Sequence, residues 1–227
     1  MELVSKKFLV VGASGAIGSA VTLELQARGA SVIGTTSSNE SATRLPAGLE
    51  QALLLNLESQ DSIDVLCNYL LSGSVKIDGL VLAAGLVAFG GFAETPIETV
   101  KRLFQVNSVA QLEVIRRLLP LIQLDGGGVI VSLSGRITEL PTQGLSAYGA
   151  SKAPLLHAQQ AAKRELAKTG VSWIDARPGH TESGLATRAI FGQAPNFAAG
   201  LAVSAVAKRI VDAIAADEKD LPGQAFA

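Results

Sequence analysis

Residues 8–18 read Phe-Leu-Val-Val-Gly-Ala-Ser-Gly-Ala-Ile-Gly, an apolar run followed by three glycines spaced three residues apart. The apolar run is typical of a buried strand, and Ile17, Val21 and Leu25 then recur at helical spacing. Glycines let the backbone turn sharply and approach a pyrophosphate, which the free N–H groups of a helix N-terminus bind. The order of strand, loop and helix therefore predicts a dinucleotide-binding turn, and the alternative is a tight turn without a ligand.

Short apolar runs alternate with amphipathic segments along the rest of the chain. Runs that are apolar throughout are typical of strands in a parallel sheet that is covered on both faces. No repeat or proline-rich linker divides the sequence, so it predicts one α/β domain over residues 1–227, with a doubly wound parallel sheet of the Rossmann type. The predicted strands are residues 8–11, 31–33, 52–55, 79–82, 129–131 and 171–174.

Composition and charge exclude several classes of protein. Hydrophobic residues make up 48% of the sequence, enough for a folded core. The net charge is −1 and no long basic run appears, so neither nucleic acid nor a membrane is an expected partner. Two histidines and one cysteine exclude a Cys/His zinc site, and no metal is expected. The single Cys67 fits a reducing compartment, and a cytoplasmic protein is predicted.

The end of the second predicted strand bears on the choice of nucleotide. An acidic side chain there would bind a ribose 2′-hydroxyl and repel a 2′-phosphate. The chain instead has Gly34-Thr-Thr-Ser-Ser38, with no carboxylate before Glu40, and hydroxyl and backbone N–H groups can receive a phosphate. NADP(H) is therefore expected in preference to NAD(H), with Arg44 as the nearest cation.

Tyr148-Gly-Ala-Ser-Lys152 places a phenol and an ammonium group four residues apart, on one face of a helix. A tyrosine with its ordinary pKa near 10 is a poor acid or base at neutral pH. A lysine cation beside it favours the phenolate and would lower that pKa. The pair therefore predicts proton transfer at a substrate oxygen.

With these motifs the chain resembles the short-chain dehydrogenase/reductase family over essentially its whole length. The shared motifs occur in the family's order and are the glycine loop, Leu82-Ala-Ala-Gly85, Asn107, Ser132-Leu-Ser134, Tyr148-x-x-x-Lys152 and Arg177-Pro-Gly179. Residues 29–38 are also similar to the second strand of NADPH-dependent β-ketoacyl reductases, which favours NADP(H) further.

The resemblance implies a role for each catalytic residue. Tyr148 would exchange the proton with the substrate oxygen, while Lys152 would bind the nicotinamide ribose and lower the tyrosine pKa. Ser134 would hydrogen-bond the carbonyl, and Asn107 would hold a water in a proton relay. The cofactor contacts predicted from the motifs and the resemblance together are Gly12, Ser14, Gly15, Ala16, Ile17, Gly18, Thr35, Thr36, Ser37, Asn56, Leu57, Ala83, Ala84, Gly85, Pro178, Gly179, Thr181 and Ser183.

The sequence departs from the family's pattern at several positions. Ala16 replaces the middle glycine of the loop, and Leu82-Ala-Ala-Gly85 replaces the usual Asn-Asn-Ala-Gly. Gly135 stands thirteen residues before Tyr148, where the family has its catalytic serine. A bulge of one residue would bring Ser134 into that place, and Ser132 is the alternative.

Two helices and one loop carry further expectations. A long helix is predicted from a capping box at Thr95 towards Leu124. Pro154 predicts a kink in the catalytic helix or a later start of its first turn. Residues 184–200 mix apolar side chains with glycines, which predicts a substrate lid, with core packing as the alternative.

These observations predict an NADP(H)-dependent oxidoreductase that interconverts a carbonyl and an alcohol in a small-molecule substrate. The alternative is a nucleotide-binding regulatory or scaffold protein in which the redox site is inactive. A homo-oligomer is expected, and the long helices that start near Thr95 and Tyr148 favour a dimer over a tetramer.

Overall fold

The computed structural model describes residues 1–227, apart from the side chain at position 125, and contains one parallel sheet. The strands are β1 Lys7–Val11, β2 Ser31–Thr36, β3 Gln51–Leu54, β4 Gly79–Leu82, β5 Val129–Leu133 and β6 Ser172–Ala176. Their order across the sheet is β3-β2-β1-β4-β5-β6, which confirms the predicted doubly wound topology. The predicted strand ends differ from the observed ones by at most three residues.

The central strands are apolar along most of their length because both of their faces are buried. In β1, Leu9 packs into one apolar cluster and its neighbours Phe8 and Val10 pack into a second cluster on the opposite face. In β4, Leu80 packs into the first cluster and Val81 packs into the second. One strand therefore contributes to both layers of the core, and alternation of polar and apolar residues is not needed.

The helices cover the sheet in two layers. The first apolar cluster includes residues of α3 Gln60–Ser72, α5 Ala110–Ile122 and α6 Ser146–Ala167. The second includes residues of α1 Ala16–Ala27 and α7 Val203–Ala215. The remaining helices are the short α2 Asn39–Ala42 and α4 Ile97–Phe104. Among the described residues, no helix combines the length and apolar character needed to cross a membrane.

The long helix predicted from Thr95 is present, with one interruption. Helix α4 passes into a π-helical turn at Gln105–Val109 and then into α5. The predicted capping box is wrong, because Pro96 precedes the first turn without a side-chain cap and the Thr95 hydroxyl donates to Gly91 O at 3.1 Å. A π turn inserts a residue into the helix and is often found at functional sites.

Helix α6 begins at Ser146, two residues before Tyr148, and continues through Pro154 to Ala167. The later start suggested by Pro154 is therefore wrong, and Lys152 lies inside the helix. The tyrosine and lysine consequently occupy successive turns of one helix, as their spacing predicts.

Candidate active site

A cleft of about 600 Å³ lies at the carboxyl ends of the parallel strands. Residues that follow four strands line it, with Gly12 after β1, Ala83 after β4, Ser134 after β5 and Pro178 after β6. Strand order reverses between β1 and β4, so the loops that leave these two strands diverge and open a crevice. This position is the usual ligand site of a doubly wound sheet.

The glycine loop closes tightly onto the start of α1. Gly12 has a φ of +84°, and its N–H donates to Thr35 Oγ1 at 3.1 Å. A Cβ at Gly18 would lie 2.2 Å from Gly12 O, so only glycine lets the helix approach the loop. The first N–H groups of α1 have no acceptor inside the helix and face the cleft at Ala16 and Ile17. Such a helix N-terminus attracts an anion.

The hydroxyl groups at the end of β2 and just after it occupy two different environments. Thr35 and Thr36 are buried, and Thr36 Oγ1 donates to Ser14 Oγ at 3.0 Å, so these threonines brace the glycine loop. Ser37 is exposed and lines the cleft together with Arg44. Among the described side chains, no carboxylate forms an ion pair with Arg44.

Tyr148 and Lys152 both line the cleft. The Lys152 ammonium donates to Leu133 O of β5 at 2.9 Å, and its side chain is almost completely buried. Burial lowers the pKa of Lys152 to about 8, and burial raises the pKa of Tyr148 to about 12. The shift at Tyr148 is opposite to the predicted effect of a neighbouring cation, because loss of hydration disfavours the phenolate. The phenol is therefore protonated at neutral pH.

Asn107 lies in the π-helical turn and is completely buried. Its Oδ1 accepts from Leu86 N at 2.8 Å, and its Nδ2 donates to Leu86 O and Ser151 Oγ, both at 2.9 Å. The side chain thus joins the loop after β4 to helix α6. A Cβ at Gly85 would lie 3.2 Å from both Asn107 Oδ1 and Lys152 Nζ, so these two groups flank one glycine of the cleft.

Ser132 lies on β5 and Ser134 directly follows the strand, and both side chains point to the same side, towards β6. Both hydroxyls donate to the carboxylate of Asp175 on β6, the first at 2.5 Å. Gly135 follows with a φ of +81°, and the side chain of Ser134 has no exposed surface. To hydrogen-bond a substrate carbonyl, as predicted, the Ser134 hydroxyl would have to leave Asp175. Its role in binding substrate stays a prediction.

Most of the predicted cofactor contacts line the cleft. Gly18 and Thr36 do not line the cleft, because they lie beneath the glycine loop and determine its shape. The buried Asn107, which was predicted to be catalytic, also lies behind the lining residues. The residues of the predicted set that do line it are Gly12, Ser14, Gly15, Ala16, Ile17, Thr35, Ser37, Asn56, Leu57, Ala83, Ala84, Gly85, Pro178, Gly179, Thr181 and Ser183.

The other half of the cleft has an apolar lining that sequence patterns missed in part. Val87, Phe89 and Leu145 line it, but they lie in irregular segments where no periodicity marks them. Within residues 184–200, Leu185 and Phe197 reach the cleft, and the Phe197 ring stacks on His180 with the centroids 4.5 Å apart.

Glu58 was also missed, and it lines the cleft just after Asn56 and Leu57. Arg102 of α4 binds its carboxylate through Nε and Nη2, both at 2.9 Å. Burial opposes ionisation of Glu58, but the hydrogen bonds from Arg102 outweigh it and lower the pKa. The sequence could have indicated Glu58, because it directly follows Asn56 and Leu57, which are predicted cofactor contacts.

The sequence model of the short chain dehydrogenase family matches residues 6–191. The 2,3-dihydro-2,3-dihydroxybenzoate dehydrogenase of Escherichia coli K12 is 28% identical over 183 residues, which are 81% of this chain and 72% of that protein. The 3-oxoacyl-(acyl-carrier-protein) reductase FabG of the same organism is 27% identical over 193 residues, 84% of this chain and 79% of that protein.

Solved structures have the same fold. A short-chain dehydrogenase from Streptomyces avermitilis superposes with a TM-score of 0.84 at 26% identity, over 97% of this chain and 90% of that one. A short chain dehydrogenase from Burkholderia cenocepacia J2315, in complex with NADP, gives 0.81 at 21% identity, over 98% and 90%. Because the family match covers most of the sequence, the protein belongs to the short chain dehydrogenase family of oxidoreductases.

Proposed function

We propose that the protein is an NADP(H)-dependent enzyme that interconverts a carbonyl and an alcohol. The observation that carries the proposal is the shared cleft, in which Tyr148 and Lys152 face the same space as the glycine loop. The loop fits a dinucleotide because Gly12 and Gly18 leave no side chain between the backbone and the start of α1. The nicotinamide would supply the hydride when bound.

The residues of this chain would bind, orient and move the proton. Tyr148, protonated at neutral pH, would donate its phenolic proton to the carbonyl oxygen during reduction. Lys152 would stabilise the resulting phenolate and bind the ribose, and Asn107 would hold α6 against the loop after β4. A protonated phenol is the form from which carbonyl reduction would start.

We also propose that Ser37 and Arg44 bind the 2′-phosphate of NADP(H). Replacing Arg44 by glutamine (Arg44→Gln) should raise the Kd for NADPH about tenfold, because one charge-assisted hydrogen bond to the phosphate is lost. The Kd for NADH should stay the same, since NADH has no 2′-phosphate. Quenching of intrinsic fluorescence, titrated with each nucleotide, measures both constants.

The wild-type protein provides the first comparison in that experiment. It should bind NADPH at least tenfold more tightly than NADH, on the order of 1.4 kcal/mol. Equal affinity for the two nucleotides would overturn the NADP(H) preference and leave the dehydrogenase proposal standing. If neither nucleotide bound, the proposed enzyme function would fall and the scaffold alternative would replace it.

The apolar half of the cleft suits a carbonyl compound with an apolar body, and residues 184–200 would serve as its lid.

We propose that the protein acts in the cytoplasm as a homodimer. Ile97 and Val109, on the helical run that was predicted to pair, are exposed by 64% and 54%. Sedimentation should therefore give twice the chain mass of 23.4 kDa, and a monomer would contradict the proposal.

A further inference from the structure

Asp175 is a carboxylate without exposed surface, buried directly behind the catalytic strand β5. Ser132 and Ser134 each donate a hydrogen bond to it. Ser132 is itself fixed, because Trp173 Nε1 donates to its hydroxyl at 2.9 Å. Burying a carboxylate is costly unless hydrogen bonds and opposite charges compensate for its lost hydration. The two serines supply the hydrogen bonds, and two cations lie nearby.

The first cation, Arg177, is shared among three carboxylates. Its Nη1 lies 3.5 Å from Asp175, but Nη1 and Nη2 also donate to Asp220 at 2.8 and 2.6 Å, and Nε donates to Glu139. The single positive charge of Arg177 is therefore shared by three carboxylates. Asp175 needs a further positive partner, since one guanidinium does not neutralise three acids.

The second cation is Lys152. Its ammonium donates to Leu133 O, the carbonyl between the two serines that bind Asp175. Burial disfavours the charge of Lys152, and Asp175 opposes that effect. In the same way, burial raises the pKa of Asp175, while the serine hydroxyls, Arg177 and Lys152 act against the rise. The titratable and charged groups around this pair are Tyr148, Arg177, Glu139 and Asp220.

We propose that Asp175 is a positioning residue that keeps Lys152 positively charged at neutral pH. It touches neither cofactor nor substrate and acts through Lys152 on Tyr148. The proposal rests on the proposed function, which places Lys152 in the catalytic machinery. The hydroxyls of Ser132 and Ser134 have a defined part in this arrangement, because the hydrogen bonds that they donate favour the ionised form of Asp175.

The test is a direct titration of Lys152. Its ¹³Cε NMR signal is assigned by its absence from the Lys152→Arg variant and is followed against pH in wild type, Asp175→Asn and Asp220→Asn. Asp175→Asn preserves the shape and removes the charge, so the Lys152 midpoint should fall by about one pH unit. Asp220→Asn is the matched control, since its half-exposed carboxylate binds Arg177 and not the serines that donate to Asp175. Its midpoint should equal that of wild type.

The titration requires no turnover, so its failure is distinguishable from failure of the proposed function. Where a carbonyl substrate is turned over, the alkaline limb of kcat/KM should move to lower pH in Asp175→Asn and stay in place in Asp220→Asn. Identical Lys152 midpoints in wild type and Asp175→Asn would overturn the proposal, as would an equal shift in the control.

A second variant covers the case in which Asp175→Asn does not fold. Ser132→Ala removes one hydrogen bond that holds Asp175 ionised, and should lower the Lys152 midpoint in the same direction by a smaller amount. An unmoved midpoint in Ser132→Ala would then count against the proposal.

Discussion

Tyr148→Phe should lower kcat for carbonyl reduction by about 10²–10⁴-fold, the usual contribution of a positioned acid or base. The ring keeps its packing, but the proton that would reach the substrate oxygen is gone. The Kd for NADPH should change less than about twofold, well under 1 kcal/mol, because in the proposed mechanism the phenol contacts the substrate rather than the nucleotide phosphates. Steady-state kinetics and nucleotide titration on the same preparation separate the two effects.

Tyr69→Phe provides the matched control for that substitution. Tyr69 lies on α3, is 48% exposed, its hydroxyl accepts from Gln51 Nε2, and it does not line the cleft. Its loss should leave kcat unchanged. A Tyr148→Phe variant that keeps wild-type turnover would show that another group transfers the proton, and the proposed mechanism would then be wrong.

Among single glycine-to-alanine substitutions in the glycine loop, Gly18→Ala should disrupt the loop most strongly. The added Cβ would lie 2.2 Å from Gly12 O and 2.8 Å from Gly12 C, and both atoms belong to the backbone. The loop and α1 must therefore move apart, at a cost on the order of 3 kcal/mol. NADPH affinity should fall about a hundredfold, and the free energy of unfolding should fall as well.

Gly15→Ala offers a graded comparison within the same loop. Gly15 has a φ of −84°, which any residue adopts, and its added Cβ would lie 3.3 Å from Gly12 O. We expect a far smaller loss of NADPH affinity than in Gly18→Ala, measured by the same titration. Equal losses in the two variants would mean that the close approach at Gly18 does not determine binding.

The sheet could be predicted from sequence because its strands are buried on both faces. Strands such as β1, from Phe8 onward, and β4 have no polar side chain, so each can be recognised from its own sequence. The right-handed crossovers of parallel strands then limit the topologies that these strands can form. No pattern in the sequence indicates the π-helical turn in the long helix. The capping box predicted at Thr95 does not form, because the Thr95 hydroxyl donates to Gly91 O instead.

The site was predictable as a set of positions, less so as a set of interactions. Motif spacing brings Tyr148, Lys152 and the glycine loop to one cleft. Spacing does not reveal that Ser134 faces Asp175, a partner 41 residues away on the neighbouring strand. Nor does it show that burial raises the pKa of Tyr148. Both depend on packing between elements that are distant in sequence.

The strand order also determines when during synthesis each half of the cleft can form. β1, β2 and β3 are neighbours in space and come from the first 54 residues, so the glycine loop and the Ser37 end can assemble early. The catalytic half waits for β5 and α6 to leave the ribosome. Until β4 arrives, one edge of β1 has unpaired backbone groups that another chain could occupy. That open edge makes the nascent chain prone to aggregation until β4 pairs with β1, although the glycine loop and β2 are already in place.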